Sequence, residues 1–234
     1  VGRDVPAEPT VHLRVDEPRL DAARQVGLHL EGPAIARAHR GAHPSERLVE
    51  PTAAVVGAWT ELDALRMVTL APELPGAVAA TERLVEAGVV VSIGHTGADR
   101  AQVAEVVDAG ATSVTHLFNA MAPFHHRDPG VIGAVLDDDR LSVGLIGDGI
   151  HVAPEAIALA WRAAGPERIV LTTDAVAGLG TDDPVAELAD GTLAGGTTPF
   201  DQVVRVVEAA IGHPPPESIT AGNARKLLGL TTSR

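Results

Sequence analysis

Two histidines, one glutamate and one aspartate carry the chemistry most easily shared at one point of this chain. His95 closes the near-continuous apolar run Val89-Val-Val-Ser-Ile-Gly-His95, and His116 sits near the end of the β-type run Ser113 to Leu117. The two are 21 positions apart (116 − 95), one strand end to the next through an intervening helix. Glu31 holds the same place on an earlier strand, Leu28-His-Leu-Glu31. Two imidazoles and a carboxylate from three strand ends suit a three-ligand Zn²⁺ site with a position left for water. One such histidine alone is equally well explained by a hydrogen bond to loop backbone; three such residues together are not. The chain has no cysteine, so thiolate sites and disulfides are excluded and any metal must rely on His, Asp and Glu.

Asp174 ends the last clear strand, after Thr172 and Thr173. A carboxylate beside an activated water can take its proton and return it to a leaving group. The alternative, a helix N-cap aspartate, is disfavoured because Ala175-Val-Ala-Gly-Leu-Gly180 is a poor helix start. His151, in Asp148-Gly-Ile-His151, is placed to hydrogen-bond a substrate carbonyl or hydroxyl, with Asp148 ordering its Gly-flanked turn. Arg127 suits a bidentate contact to phosphate or carboxylate, with pairing to Asp128 as the rival reading. His125 and His126 read as loop residues, His29 as packed into the core, and Trp59 and Trp161 as packing on helices.

The elements that must position these residues alternate between strand and helix. Strands are expected over 28–31, 67–70, 89–95, 112–117, 141–146 and 168–173. Helices are expected over 53–65, 75–87, 99–109, 154–164, 200–211 and 218–228. A long functional loop is expected over 37–51, a Pro-Gly turn at 129–130 and a Gly-rich loop over 175–198. Residues 1–26 are ambiguous, with a strand-like Val11–Val15 and a short helix over 21–26. This α/β alternation predicts a parallel sheet with right-handed crossovers. No G-x-G-x-x-G phosphate loop follows any strand, and the polar residues sit at many different strand ends, which favours a barrel over a doubly wound sheet.

Composition sets the outer bounds. The 234 residues are 45% hydrophobic and 21% charged, a globular balance. The formal charge of −13 argues against a general nucleic-acid surface. No apolar run reaches the roughly 18 residues of a membrane span, and Val1-Gly-Arg-Asp-Val-Pro6 lacks the pattern of a secretory signal. A cytoplasmic protein is the expectation.

Seven motifs then appear in one order: Leu28-His-Leu-Glu-Gly-Pro33, Gly41-Ala-His43, Thr69-Leu-Ala-Pro-Glu73, Ser92-Ile-Gly-His-Thr96, Thr115-His-Leu-Phe-Asn-Ala-Met121, Asp148-Gly-Ile-His-Val152 and Thr173-Asp-Ala175. With them the chain, from about residue 27 to 230, closely resembles the N-acetylglucosamine-6-phosphate deacetylase family of the metal-dependent amidohydrolase superfamily. The resemblance implies a (β/α)8 TIM-type barrel, here incomplete, with its first two strands and the accompanying β-sandwich missing. The domain division expected is an uncertain segment 1–26 and a partial barrel 27–234. The implied metal ligands are Glu31, His95 and His116, holding one divalent ion, Zn²⁺ first, with Fe²⁺, Mn²⁺ or Co²⁺ as alternatives. Asp174 is the implied catalytic residue. Substrate contacts are implied for Ala42, Asn119, Ala120, Arg127, His151, Leu193, Ala194 and Gly195, with the arginine reaching the sugar phosphate across a homodimer interface. The implied reaction is hydrolysis of the N-acetyl group of N-acetylglucosamine 6-phosphate, with Asp174 taking a proton from water and His151 helping to steady the oxyanion. Competing expectations are an amidohydrolase for another amide and a catalytically silent remnant that binds sugar phosphate or a partner chain.

Overall fold

The computed structural model describes residues 26–176, 179 and 185–230. Six strands, β1 (Leu28–Glu31), β2 (Leu65–Leu70), β3 (Val90–Ile93), β4 (Ser113–Val114), β5 (Ser142–Ile146) and β6 (Ile169–Thr172), form one sheet in chain order. Every neighbouring pair is parallel. Parallel neighbours need long crossovers, and these carry α1 (Ala53–Thr60), α2 (Ala77–Glu86), α3 (Arg100–Asp108), α4 (Gly130–Asp137) and α5 (Pro154–Ala164). Right-handed crossovers between strands in sequential order put all the helices on one face, and the sheet curls as a half-barrel.

The two faces differ because side chains alternate along each strand. Val68, Leu70, Val91, Ile93, Val143, Leu145 and Ile169 face the helices and are fully shielded, packed with Leu84, Val106, Val135 and Ile157. Each such side chain contributes roughly 1.5–3 kcal/mol on burial. On the concave face, Glu31, Thr69, Ser92, Ser113 and Ser142 stand at one register level across five strands. A chain of hydroxyl bonds knits this face. His29 Nε2 lies 2.7 Å from Thr69 Oγ1, which lies 2.6 Å from Thr115 Oγ1, itself 2.7 Å from Ser92 Oγ. Gly94 closes the same layer, because a Cβ there would stand 2.8 Å from Thr69 Cγ2 and 3.1 Å from Thr115 Cβ.

Several expectations need correcting. His29 is not packed into the core: it shares the face of Glu31, two residues on, and is exposed. The Pro-Gly pair at 129–130 does not turn the chain but begins α4, whose Val131, Ile132, Ala134 and Val135 are buried. The Gly-rich loop contains an antiparallel hairpin, β7 (Val185–Glu187) and β8 (Leu193–Gly196). Its end docks onto the chain after β6, where Gly196 N donates to Asp174 O at 2.8 Å. A Cβ on Gly196 would lie 2.1 Å from Thr173 O, so only glycine permits this approach. α1 is shorter than expected, because Leu65 already belongs to β2. Helices α6 (Phe200–Ile211) and α7 (Gly222–Leu227) complete the described chain, with α6 packed on α5. The strand-like Val11–Val15 and, but for residue 26, the helix expected over 21–26 lie outside the described residues.

Candidate metal centre

The site forms at the C-terminal ends of the strands, and its geometry depends on three unusual backbone conformations. His95, His116 and Asp174 adopt positive φ values of 50°, 32° and 48°. Left-handed backbone at a non-glycine residue costs of order 1–3 kcal/mol and persists only where its surroundings enforce it. Each bends the chain just past its strand, so that the side chain stands over the mouth of the half-barrel.

The surroundings that enforce His95 are clear. Its carbonyl accepts from Ala36 N at 3.0 Å. The next residue, Thr96, donates its hydroxyl to the Glu73 carboxylate, and Gly97 N donates to the same group at 2.8 Å. Thr96 also bonds through its backbone to Ala120 O and Ala122 N at 3.1 and 3.0 Å, so the His95 loop fixes the loop carrying Asn119 and Ala120.

Glu31, His95 and His116 converge. Glu31 Oε1 is 2.8 Å from His95 Nε2 and 2.7 Å from His116 Nε2, and the two nitrogens are 3.2 Å apart. Ligands about 2.0–2.1 Å from a tetrahedral Zn²⁺ lie roughly 3.3 Å from each other, so these three atoms fit a shared cation with slight contraction. The protonation of His95 argues the same way. Its Nδ1 lies 2.8 Å from the carbonyl oxygen of His39, which can only accept, so Nδ1 carries a hydrogen. In the neutral ring Nε2 is then a bare acceptor facing a carboxylate oxygen, a pairing that calls for a positive charge between them. A backbone partner on the second nitrogen is also how metal-bound imidazoles are commonly oriented. His116 differs, since its buried Nδ1 has no partner.

Electrostatics follow from crowding. Burial alone would raise the Glu31 carboxyl, but hydrogen bonds from His116 and His95 hold it far below the usual carboxylate range. Burial would lower His116, and its bond to Glu31 reverses this and raises it. Asp174 is pushed up by burial and by the charge of Glu31, which suits a carboxyl that must hold a proton for part of a cycle.

One cavity of about 500 Å³ joins these groups, within the ~300–1,000 Å³ usual for small-molecule sites. Glu31, Ala42, His95, His116, Asn119, Ala120, His151, Asp174, Leu193, Ala194 and Gly195 all line it. Of the site residues that the resemblance implies, Arg127 alone does not line it: it is exposed, 3.1 Å from His126, on the loop that also exposes Phe124. Two further residues belong to the site. His43 lies with Glu31 and His95 close enough to share an ion, its ring edge-on to that of His95 at 4.9 Å. Burial, then the neighbouring His95, lowers its pKa. Only its place in the Gly41-Ala-His43 motif hinted at this. Asp148 does more than order a turn. Oδ1 accepts from Ile150 N and His151 N, both at 2.9 Å, while Oδ2 accepts from His151 Nδ1 at 2.7 Å. Burial works to raise Asp148, yet these bonds leave it below its ordinary value.

Comparison with known proteins shows what this chain is similar to. No family model matches the chain. The N-acetylglucosamine-6-phosphate deacetylase of Lysinibacillus sphaericus is 41% identical over 204 residues, covering 80% of this chain and 53% of that protein. The human protein of the same name is 39% identical over 236 residues, covering 89% of this chain and 57% of its own length. The chain thus spans a little over half the length of these curated relatives. Among solved structures, a mutant N-acetyl-D-glucosamine-6-phosphate deacetylase of Mycobacterium smegmatis in complex with N-acetyl-D-glucosamine-6-phosphate superimposes with a TM-score of 0.82 at 38% identity, covering 87% of this chain and 60% of that one. The Pasteurella multocida enzyme superimposes with a TM-score of 0.83 at 30% identity, covering 89% and 59%. In sequence and in fold, the chain is similar to N-acetylglucosamine-6-phosphate deacetylases over a little more than half of their length.

Proposed function

We propose that the protein hydrolyses the N-acetyl group of N-acetyl-D-glucosamine 6-phosphate to D-glucosamine 6-phosphate and acetate, as a cytoplasmic hydrolase of amino-sugar catabolism. The observation that carries this reading is the convergence of Glu31 Oε1, His95 Nε2 and His116 Nε2 at 2.7–3.2 Å in a cavity also lined by Asp174. In this reading the six parallel strands are strands three to eight of an eight-stranded barrel, within a domain running over 27–234.

Glu31, His95 and His116 would hold one divalent cation, Zn²⁺ first, with Fe²⁺, Mn²⁺ or Co²⁺ as alternatives. Such a cation would supply Lewis acidity and lower the pKa of water towards neutrality. Asp174, with its raised carboxyl, takes the proton of the attacking water on its carboxylate and later delivers it to the departing amine nitrogen. His43 brings an imidazole beside the ligand pair, where its N–H can polarise the acetyl carbonyl. Asn119, Ala120 and residues Leu193, Ala194 and Gly195 of β8 form the walls that hold the sugar. Arg127, outside the cavity, serves the phosphate of a substrate held by a partner copy in a homodimer, and the exposed Phe124 beside it belongs to that contact.

The test is acetate release from N-acetylglucosamine 6-phosphate by purified protein, before and after chelation and Zn²⁺ return. Release that follows the metal supports the reading, whereas no release with metal fully bound removes it. Asp174→Asn should abolish turnover with metal content unchanged, and retained turnover would take Asp174 out of the reaction.

A further inference from the structure

Beyond the ligand triad and Asp174, the cavity wall holds one buried acid–imidazole pair whose polarity can be worked out atom by atom. The side chains of His151 and Asp148 retain only 4% and 1% of their exposure, and His151 Nε2 is buried with no hydrogen-bond partner although the residue lines the cavity. An unpaired polar atom in such a place is expensive unless a ligand satisfies it. We infer that Asp148 is a positioning residue that locks His151 with the hydrogen on Nδ1 and a bare acceptor at Nε2, so that the group it recognises is a hydroxyl donor of the substrate.

Both oxygens of Asp148 are already engaged. Oδ1 is committed to the amides of Ile150 and His151, and Oδ2 faces His151 Nδ1 at 2.7 Å. A carboxylate only accepts, so Nδ1 must donate, and in a neutral imidazole the other nitrogen then carries the lone pair. A lone pair cannot steady a developing oxyanion, because both are electron-rich. It can accept from an O–H, and an amino sugar offers several. On this inference His151 serves a hydroxyl of the sugar rather than the acyl oxygen. The identity of the hydroxyl donor rests on the deacetylase reading; the polarity of the ring does not.

Asp148→Asn is the informative change. The asparagine carbonyl can keep the two backbone amides, so the turn survives, but its NH2 group then faces Nδ1 as a donor. That forces Nδ1 to accept and moves the hydrogen to Nε2, reversing what the ring offers. The same inversion by an Asp→Asn change is costly where an aspartate orients a catalytic histidine.

The experiment is two-bond 1H–15N correlation NMR of 15N-histidine-labelled protein at neutral pH, with His151 assigned by the signals missing in His151→Gln. The wild type should show protonated Nδ1 and bare Nε2, and Asp148→Asn should show the reverse. The variant should also keep its metal content while kcat/KM for N-acetylglucosamine 6-phosphate falls roughly tenfold or more, the scale of lost orienting partners. Protonated Nε2 in the wild type, as neutral tautomer or imidazolium, overturns the inference whether or not the variant folds. An unchanged tautomer in a folded Asp148→Asn protein overturns it as well. Absence of acetate release would count against the deacetylase reading and leave the tautomer measurement standing.

Discussion

Replacing Thr115 by valine removes a hydroxyl at nearly constant shape from the centre of the concave-face network, and its cost can be worked out from three contacts. Thr115 Oγ1 bonds Thr69 at 2.6 Å and Ser92 at 2.7 Å, and both partners are fully buried. Thr69 keeps His29 as a second partner, so that loss is an ordinary hydrogen bond of about 1 kcal/mol. Ser92 Oγ loses its sole partner among the described residues, and a stranded buried hydroxyl costs about 1–3 kcal/mol. Together Thr115→Val should destabilise the fold by about 2–4 kcal/mol. Thr115→Ser keeps the hydroxyl and gives up one methyl, about 0.8 kcal/mol. Urea denaturation separates the two: for m of ~2–3 kcal/mol per M, valine lowers the midpoint by about 1 M and serine by about a third of that. Adding Ser92→Ala to the valine variant removes the stranded hydroxyl and should return about 1 kcal/mol or more. A valine variant that costs no more than the serine one, or a double variant no more stable than Thr115→Val, would refute the role given to the Thr115 hydroxyl.

Gly94→Ala should destabilise the fold by roughly 1–3 kcal/mol of overpacking, read as a lower urea midpoint, because its Cβ would meet Thr69 Cγ2 at 2.8 Å and Thr115 Cβ at 3.1 Å. Weaker Zn²⁺ binding should accompany it, since Gly94 precedes His95; unchanged stability would show that the layer is looser than its distances imply. The stability lost in Asp148→Asn should depend on pH. The folded-state pKa of Asp148 is depressed from 3.8, so its stabilisation is fully present above the unfolded value and is lost as pH falls through the folded one. Urea midpoints of wild type and variant should therefore differ by a constant amount near neutrality and converge below about pH 4; a gap that widens in acid would contradict this.

Much of the frame was legible in the chain. Runs ending in Gly, Pro, His or, for the last, Asp marked the six strands, because a strand shielded by helices must be apolar on that face. What escaped had specific causes. α4 was hidden because Val131–Leu136 has no polar face to set a helical period and follows a Pro-Gly pair that usually turns. The hairpin Val185–Gly196 has strands of only three and four residues, and its docking depends on a glycine without a Cβ rather than on a hydrophobic pattern. His29 was misplaced although strand parity was available, since residues 29 and 31 must share a face. Asp148 looked like a turn residue because its two backbone bonds are local, while its bond to the His151 ring shows only in three dimensions.

The sequence by itself determined the chemistry on offer: imidazole and carboxylate at strand ends, no thiols, and motifs in the order of one family. Tertiary structure alone decided how those groups meet. Left-handed backbone at His95, His116 and Asp174 has no firm local signature, because His and Asp enter it more readily than most side chains yet far more often lie outside it. It is imposed by distant partners such as Ala36 on His95 and Gly196 on Asp174. Spacing along a chain fixes which face a side chain takes, but bringing three atoms within 3.2 Å across three strands depends on register and on bonds between loops far apart in sequence.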